Sequence, residues 1–160
     1  MEMDNILKII PIITALVAVI VSPLITVYIT KKQLNASVNS KNRQEWINTL
    51  RDEITEYLFV YLKIDGMWFD NSFARQNNTE VPHSPQDFTK PLDELRKHEI
   101  KISLLINPKE DDHKNLVKLL QDAYLNFKDK SKSHKEIEKE ILLLSQIILK
   151  KEWERVKSLE

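Results

Sequence analysis

The longest apolar stretch of the chain lies near its N-terminus. Residues 9 to 30 contain no charged side chain and consist mostly of Ile, Val, Leu and Ala. At a helical rise of about 1.5 Å per residue they span roughly 33 Å, enough to cross a hydrocarbon core of about 30 Å. The pattern predicts a transmembrane helix. A buried helix of a soluble protein is the alternative, although such helices rarely run so far without a polar face.

The flanks of this stretch predict a retained anchor and its orientation. A cleaved signal peptide has a basic start and a shorter apolar run, whereas this chain begins with two acidic residues and one lysine. Lys31 and Lys32 close the stretch, so the positive-inside rule places the following residues in the cytoplasm. We therefore expect a single-pass protein with its N-terminus outside, a transmembrane anchor at 1–32 and a cytosolic helical ligand-sensing domain at 33–160.

Small residues recur at every fourth position within the apolar stretch. They are Thr14, Ala18, Ser22, Thr26 and Thr30. Small side chains at this spacing let transmembrane helices approach closely, which favours self-association. The alternative is that lipid simply tolerates Ser and Thr.

A heptad pattern follows in residues 41–64. Ile47, Leu50, Ile54, Tyr57, Tyr61 and Ile64 recur with alternating spacings of three and four. Such a seam is typical of a helix that packs against other helices. It either contacts a partner chain or forms a single stripe facing the core of its own domain.

Three further helices are predicted downstream. Their apolar periodicity covers residues 91–106, 107–127 and 136–157, and Asn107 with Pro108 forms a start signal for the second of these. Four cytosolic helices joined by short links suggest an up-down bundle. The predicted fold class is thus all-α, with an N-terminal transmembrane helix followed by a cytosolic four-helix domain, in a homo-oligomer.

Residues 65–90 interrupt the periodicity. They contain several Asn and Pro residues, which favour turns, and also four large aromatic side chains. A loop of this length within a small domain is usually functional or disordered, and the aromatics argue against disorder. We therefore predict a functional loop.

Composition excludes several classes of function. Lys plus Arg and Asp plus Glu each number 24, so no duplex nucleic acid partner is expected. Gly66 is the single glycine, which rules out a glycine-rich phosphate loop. The chain has no cysteine and its four histidines lack paired metal spacing. We predict no enzyme activity, no catalytic residue, no cofactor and no metal.

The up-down topology gathers two groups of functional candidates. The predicted membrane-proximal structural cluster is Arg43, Trp46, Arg51, Asn107 and His113. The predicted ligand-binding residues at the far end of the bundle are Trp68, Arg75, Lys90, Lys130 and Lys132. Local positive charge beside an aromatic platform suits a small nucleotide-like anion. A solvated charged end is the alternative.

Two stretches carry a resemblance. RQEWINTLRDEI (residues 43–54) and LLINPKEDDH (residues 104–113) look like a pattern seen in small single-pass bacterial membrane proteins. The whole layout resembles the membrane-anchored, cyclic-oligoadenylate-sensing effectors of type III CRISPR antiviral defence. The resemblance implies a homo-oligomer, with a tetramer favoured, in the bacterial inner membrane. It also implies that the cytosolic domain binds a cyclic oligoadenylate second messenger, cyclic tetra-adenylate first, and perturbs the lipid bilayer.

Two other functions fit the same sequence. One is a non-enzymatic, membrane-anchored protein-interaction module that recruits its partner through the 65–90 loop. The other is a holin-like protein that permeabilises the membrane without a ligand. Dependence on a ligand separates the effector from the holin-like protein.

Overall fold

The computed structural model describes the backbone of residues 2–129 and 132–158, and the side chains of residues 16–127 and 132–158. The helices in chain order are α1 (Glu2–Gln76), a short 3-10 helix (Pro85–Phe88), α2 (Thr89–Leu105), α3 (Asp111–Asp129) and α4 (His134–Lys157). The described residues include no strand, so the predicted all-α class is confirmed.

The apolar stretch forms the first part of α1, which continues without interruption to Gln76. Its described apolar side chains are exposed, as in Leu16 at 61% and Val19 at 72%. Within the described part of the chain, α1 is the one helix long and apolar enough to cross a membrane, and none of its apolar window is buried. Since residue 32 lies inside α1, no break in the helix separates the predicted anchor from the predicted domain.

The loop predicted at 65–90 is shorter than expected, because α1 includes residues 65–76. Ala74 is buried in the bundle, and the rings of Trp68 and Phe88 lie 4.9 Å apart. These contacts outweigh the cost of roughly 1 kcal/mol that Gly66 imposes on a helix. The chain leaves the helix and turns only after residue 76, where Asn78 adopts a positive φ of 54°.

The second half of α1 forms a four-helix bundle with α2, α3 and α4. It packs against α2 and α4, and α3 packs against the same two helices. The residues of the predicted heptad seam are 4% exposed or less: Ile47, Leu50, Ile54, Tyr57, Tyr61 and Ile64. They lie in the core of their own domain, so the interpretation of this seam as a contact with a partner chain is wrong. Periodicity does not separate the two cases because bundles and coiled coils share the same spacing.

One buried hydroxyl links helices across the diagonal of the bundle. Tyr57 donates to the carbonyl oxygen of Leu120 in α3 at 2.7 Å, and both residues are fully buried. Burial raises the pKa of the Tyr57 hydroxyl far above its ordinary value, so it remains a protonated donor. The remaining core consists of apolar side chains from α2, α3 and α4, such as Leu95, Leu116 and Ile141.

Two buried asparagines hold the loops at the end of the bundle away from the apolar span, which we call the distal end. Asn71 donates to the carbonyl oxygen of His83 at 2.8 Å and accepts from the His83 amide at 3.0 Å. Asn126 makes the same pair of hydrogen bonds to the Lys132 backbone, at 3.0 Å and 2.9 Å. Each loop is thereby fixed to a helix by one neutral side chain.

The turn before α3 differs from the predicted helix start. Asn107 does not cap α3, which begins at Asp111. Instead, its side-chain oxygen accepts from the Lys109 amide at 3.1 Å, and its carbonyl oxygen accepts from the Glu110 amide at 3.2 Å. The start signal therefore forms a tight turn that places Glu110 and His113 at the opposite, proximal end of the bundle.

Candidate functional site

A cavity of about 630 Å³ opens at the proximal end of the bundle. α1, the turn between α2 and α3, and α4 all contribute to its walls. The structure brings four residues of the predicted membrane-proximal cluster to this proximal cavity: Arg43, Trp46, Asn107 and His113. Arg51 lies elsewhere, on the exposed surface of α1, where it donates to Asn48 at 2.9 Å.

Trp46 joins three elements at the cavity. Its indole Nε1 donates to the carbonyl oxygen of Leu105, the last residue of α2, at 2.7 Å. The final carbonyl groups of a helix lack helical partners, so this bond satisfies one of them. The indole also stacks on the ring of His113, with centroids 6.4 Å apart and 24° between the planes. Trp46 thereby fixes α1 relative to the α2–α3 turn.

His113 is a buried donor without a partner. The Asn107 amide donates to His113 Nδ1 at 2.8 Å. A ring nitrogen that accepts a hydrogen bond carries no proton, which assigns the proton to Nε2. His113 is 1% exposed, and its Nε2 has no hydrogen-bond partner among the described residues. An unmet buried donor costs about 1–3 kcal/mol, so an acceptor that reaches this nitrogen through the cavity would stabilise the site.

Glu110 is held by cations from α4. The two Arg155 guanidinium nitrogens donate to its two carboxylate oxygens at 2.9 Å and 3.0 Å, and Lys151 lies 3.3 Å away. The hydrogen bond from Arg155, helped by Lys151 and Asn107, lowers the pKa of Glu110 to about 2. Glu110 is therefore a fixed negative charge at neutral pH.

Glu152 supplies a second, buried carboxylate. It is 4% exposed, hydrogen-bonds to Arg155 and lies 4.0 Å from Arg43. Sequence reasoning missed Glu152, Arg155 and Lys151 as site residues. A signal exists for Glu152, which lies four residues after Ile148 and four before Val156 on the buried stripe of α4. A charged residue in the phase of a core stripe points to a paired, buried charge.

Three residues of this site lie close enough together to be considered as metal ligands. Glu110, His113 and Glu152 each offer an atom within 4.8 Å of the others. However, Arg155 hydrogen-bonds both carboxylates, and His113 Nδ1 is an acceptor, which leaves Nε2 protonated. A protonated nitrogen does not ligate a metal, so the arrangement does not favour a metal ion.

A second cavity, of about 510 Å³, lies at the distal end. Trp68 and Arg75 line it, together with residues of the loop clamped by Asn71. Lys90 and Lys132 are exposed and do not line it, and Lys132 pairs with Glu140 at 3.0 Å. Lys130 lies outside the described residues. The structure thus brings together two of the five predicted ligand-binding residues, and ligand binding there stays a prediction.

Comparisons with known proteins add no family to this picture. No protein-family model matches the chain, and no match was found among curated proteins or among solved structures.

Proposed function

We propose that this protein is a non-enzymatic membrane effector that binds a small anionic signalling molecule in the proximal cavity and acts on its own membrane span. One observation carries the proposal: α1 supplies both the apolar span and the wall of the cavity that contains Arg43 and Trp46. Because the helix is continuous, a change of tilt or rotation at the cavity reaches the span without passing through a flexible linker.

The position of the cavity along α1 suits this role. Arg43 lies eleven positions after Lys32, which is roughly 17 Å of helix. Headgroups extend about 5–8 Å beyond the hydrocarbon core on each side. With Lys31 and Lys32 at the cytoplasmic surface, the cavity lies just beyond the headgroups and is open to the cytosol.

The donors and acceptors of the cavity support a nucleotide-like ligand. Arg43, Arg155 and His113 Nε2–H suit phosphate oxygens, whereas Glu110 and Glu152 suit the amino group of a nucleobase. Cyclic tetra-adenylate carries both kinds of group, and the resemblance to CRISPR effectors makes it the first ligand to test. A volume of about 630 Å³ is within the usual range for small-molecule sites. We propose that each copy binds part of the ring, in a symmetric oligomer.

The free energy available for action on the membrane is limited by binding. A ligand shifts the packing of the membrane helices only as far as it binds one arrangement more tightly than the other. His113 offers a source of that difference, because an arrangement that brings an acceptor to Nε2 removes the cost of its unmet donor.

Binding is tested by thermal unfolding of the full chain in lipid nanodiscs. Cyclic tetra-adenylate is titrated, with AMP and inorganic phosphate as comparison ligands. Arg43→Gln is expected to weaken binding about tenfold or more, because a hydrogen bond to a charged group is lost. Arg75→Gln, the matched control in the distal cavity, is expected to bind like the wild type. The opposite result would move the ligand site to the distal end, and no stabilisation of the wild type by cyclic tetra-adenylate would overturn the proposed ligand.

Action on the membrane is tested separately, by dye release from vesicles that contain the full chain. Release that depends on cyclic tetra-adenylate, and that Arg43→Gln reduces, is the expected result. Equal release with and without the ligand would favour the holin-like alternative.

A further inference from the structure

An apolar stripe runs along the exposed face of α1 in the distal half of the bundle. It consists of Phe59, Leu62, Gly66, Phe69 and Phe73, with alternating spacings of three and four. Phe59, Phe69 and Phe73 are 68%, 67% and 59% exposed, and Leu62 is 41% exposed. We call these five residues the outer stripe. Exposed apolar patches of this kind mark interaction surfaces.

Gly66 lies in the middle of the outer stripe, inside a helix. Glycine is among the least favourable residues at such a position. A Cβ atom added to Gly66 would meet no atom of the described residues within 4 Å, so packing among those residues does not require the glycine. A glycine on an exposed helix face lets the backbone of another helix approach closely.

The outer stripe stands too far from the membrane to be covered by the lipid in which α1 is anchored. The stripe begins 29 residues after Thr30 and ends 43 residues after it. At the helical rise these separations are roughly 44 Å and 65 Å. The cover must therefore be a protein surface that stands away from the bilayer.

We infer that the outer stripe packs against the same stripe of a second copy, with the two α1 helices parallel. Copies anchored in one membrane present the stripe at the same height and in the same direction. Leu34 and Val38 fall on the same three-and-four spacing when it is continued towards the N-terminus, and they are 61% and 48% exposed. A helix lying alongside α1 covers both apolar patches, whereas a partner docked at the distal end covers one. The positions on this spacing between the patches are polar, so contact is confined to the two patches.

The area of the stripe predicts that this contact depends on the membrane. Three phenylalanines exposed by about 60% offer roughly 400 Å² per copy, hence about 800 Å² for the pair. Specific interfaces usually exceed about 1,000 Å² in total. Anchoring in one bilayer raises the effective concentration of the copies, which offsets the small area.

The absence of cysteine from the chain permits a clean cross-linking test. Gly66→Cys is oxidised in membranes that contain the full chain, with Glu56→Cys as the control on another exposed part of α1. We expect a disulfide-linked species of twice the chain mass from Gly66→Cys and at least tenfold less from Glu56→Cys, because a disulfide requires Cα atoms within about 7 Å. Equal yields, or a cross-linked species of any other mass, would overturn the inference.

A second variant separates loss of association from misfolding. Gly66→Leu fits the folded monomer because its Cβ atom would meet no described atom within 4 Å, and it improves helix propensity. We therefore expect an unchanged or higher melting temperature together with a monomer in nanodiscs. An oligomer that persists in Gly66→Leu would contradict close approach at this glycine.

The inference rests on the membrane anchoring in the proposed function and is independent of the ligand. Fractionation distinguishes the two failures. A wild-type chain that does not sediment with membranes refutes the anchoring. A chain that sediments with membranes but does not cross-link through Gly66→Cys refutes the outer stripe contact alone.

Discussion

The two ends of the bundle are held together by different kinds of hydrogen bond. At the proximal end Glu110, Glu152 and Arg155 form a charged network around a cavity. At the distal end Asn71 and Asn126 hold two loops through neutral hydrogen bonds to backbone groups. The strength of charged hydrogen bonds depends on pH, salt and anions, whereas that of neutral amide hydrogen bonds depends on them only weakly.

This difference changes where a ligand is expected. Lysines are frequent near the distal end, but Lys90 and Lys132 are exposed and do not converge on the cavity there. The proximal cavity has fewer cations, yet Arg43 and Arg155 line it together with His113, whose Nε2 is a buried donor. A site for a small anion requires a few donors that converge on one cavity. The number of lysines nearby matters less.

The largest effect is expected from breaking the distal clamp. Asn71→Leu removes both hydrogen bonds to the His83 backbone and leaves two backbone groups unpaired. The expected loss is about 3 kcal/mol in the free energy of unfolding, measured by denaturant titration of the full chain in detergent micelles. Asn77→Leu, at an exposed position, serves as the control and should cost less than about 1 kcal/mol. Similar losses for both variants would show that the clamp adds nothing.

The next effect sharpens the contrast between the charged network at the proximal end and the neutral asparagine clamps at the distal end. Arg155→Met removes the cation shared by Glu110 and Glu152, and Glu152 is 4% exposed. Removing one partner of a buried pair is strongly destabilising, but Arg155 is partly solvated, so about 2 kcal/mol is expected. Arg75→Met at the distal end should change stability by less than about 0.5 kcal/mol. Comparable losses for the two variants would remove the distinction between the ends.

The pH dependence of stability tests the charge on Glu110. Its folded pKa of about 2 lies below the ordinary value of 4.5, because Arg155 donates to the carboxylate. A depressed pKa contributes stability that is present above pH 4.5 and is lost as the pH falls from 4.5 towards 2. Glu110→Gln should therefore be less stable than the wild type at neutral pH, with the difference shrinking over that window.

The control for this titration is Glu140→Gln, which removes a carboxylate from the exposed pair with Lys132. Its difference from the wild type should be small at every pH. A constant difference between Glu110→Gln and the wild type from neutral pH to pH 2 would contradict the assigned shift.

The smallest effect concerns the indole bond that joins α1 to α2. Trp46→Phe keeps an aromatic ring beside His113 but removes the hydrogen bond to the Leu105 carbonyl oxygen. We expect a loss of about 1 kcal/mol in the free energy of unfolding. Trp153→Phe, at a position that is 40% exposed, should cost less than about 0.5 kcal/mol. An equal cost at the two positions would mean that the indole bond does not stabilise the proximal end.

The sequence by itself determined the helical class, the apolar span and the approximate extent of the later helices. Hydrophobic periodicity is a local property, so it specifies which residues form a helix and which face is apolar. The end of α4 at Lys157 agrees with the predicted end. The up-down topology also predicted that Arg43 and Trp46 would meet the turn at residues 107–113, as Trp46 and His113 do.

Only the tertiary structure decided what each face contacts. The seam from Ile47 to Ile64 faces its own bundle, while the outer stripe around Gly66 stays exposed, because neighbouring helices cover one apolar face and leave the other. The first part of the predicted 65–90 loop is helical because Trp68 packs against Phe88 and Asn71 hydrogen-bonds to His83, contacts that a local pattern does not show. The proximal cavity depended on Glu152 and Arg155, which lie more than 100 residues after Arg43. Such pairings are fixed by packing between helices, which a local pattern does not encode.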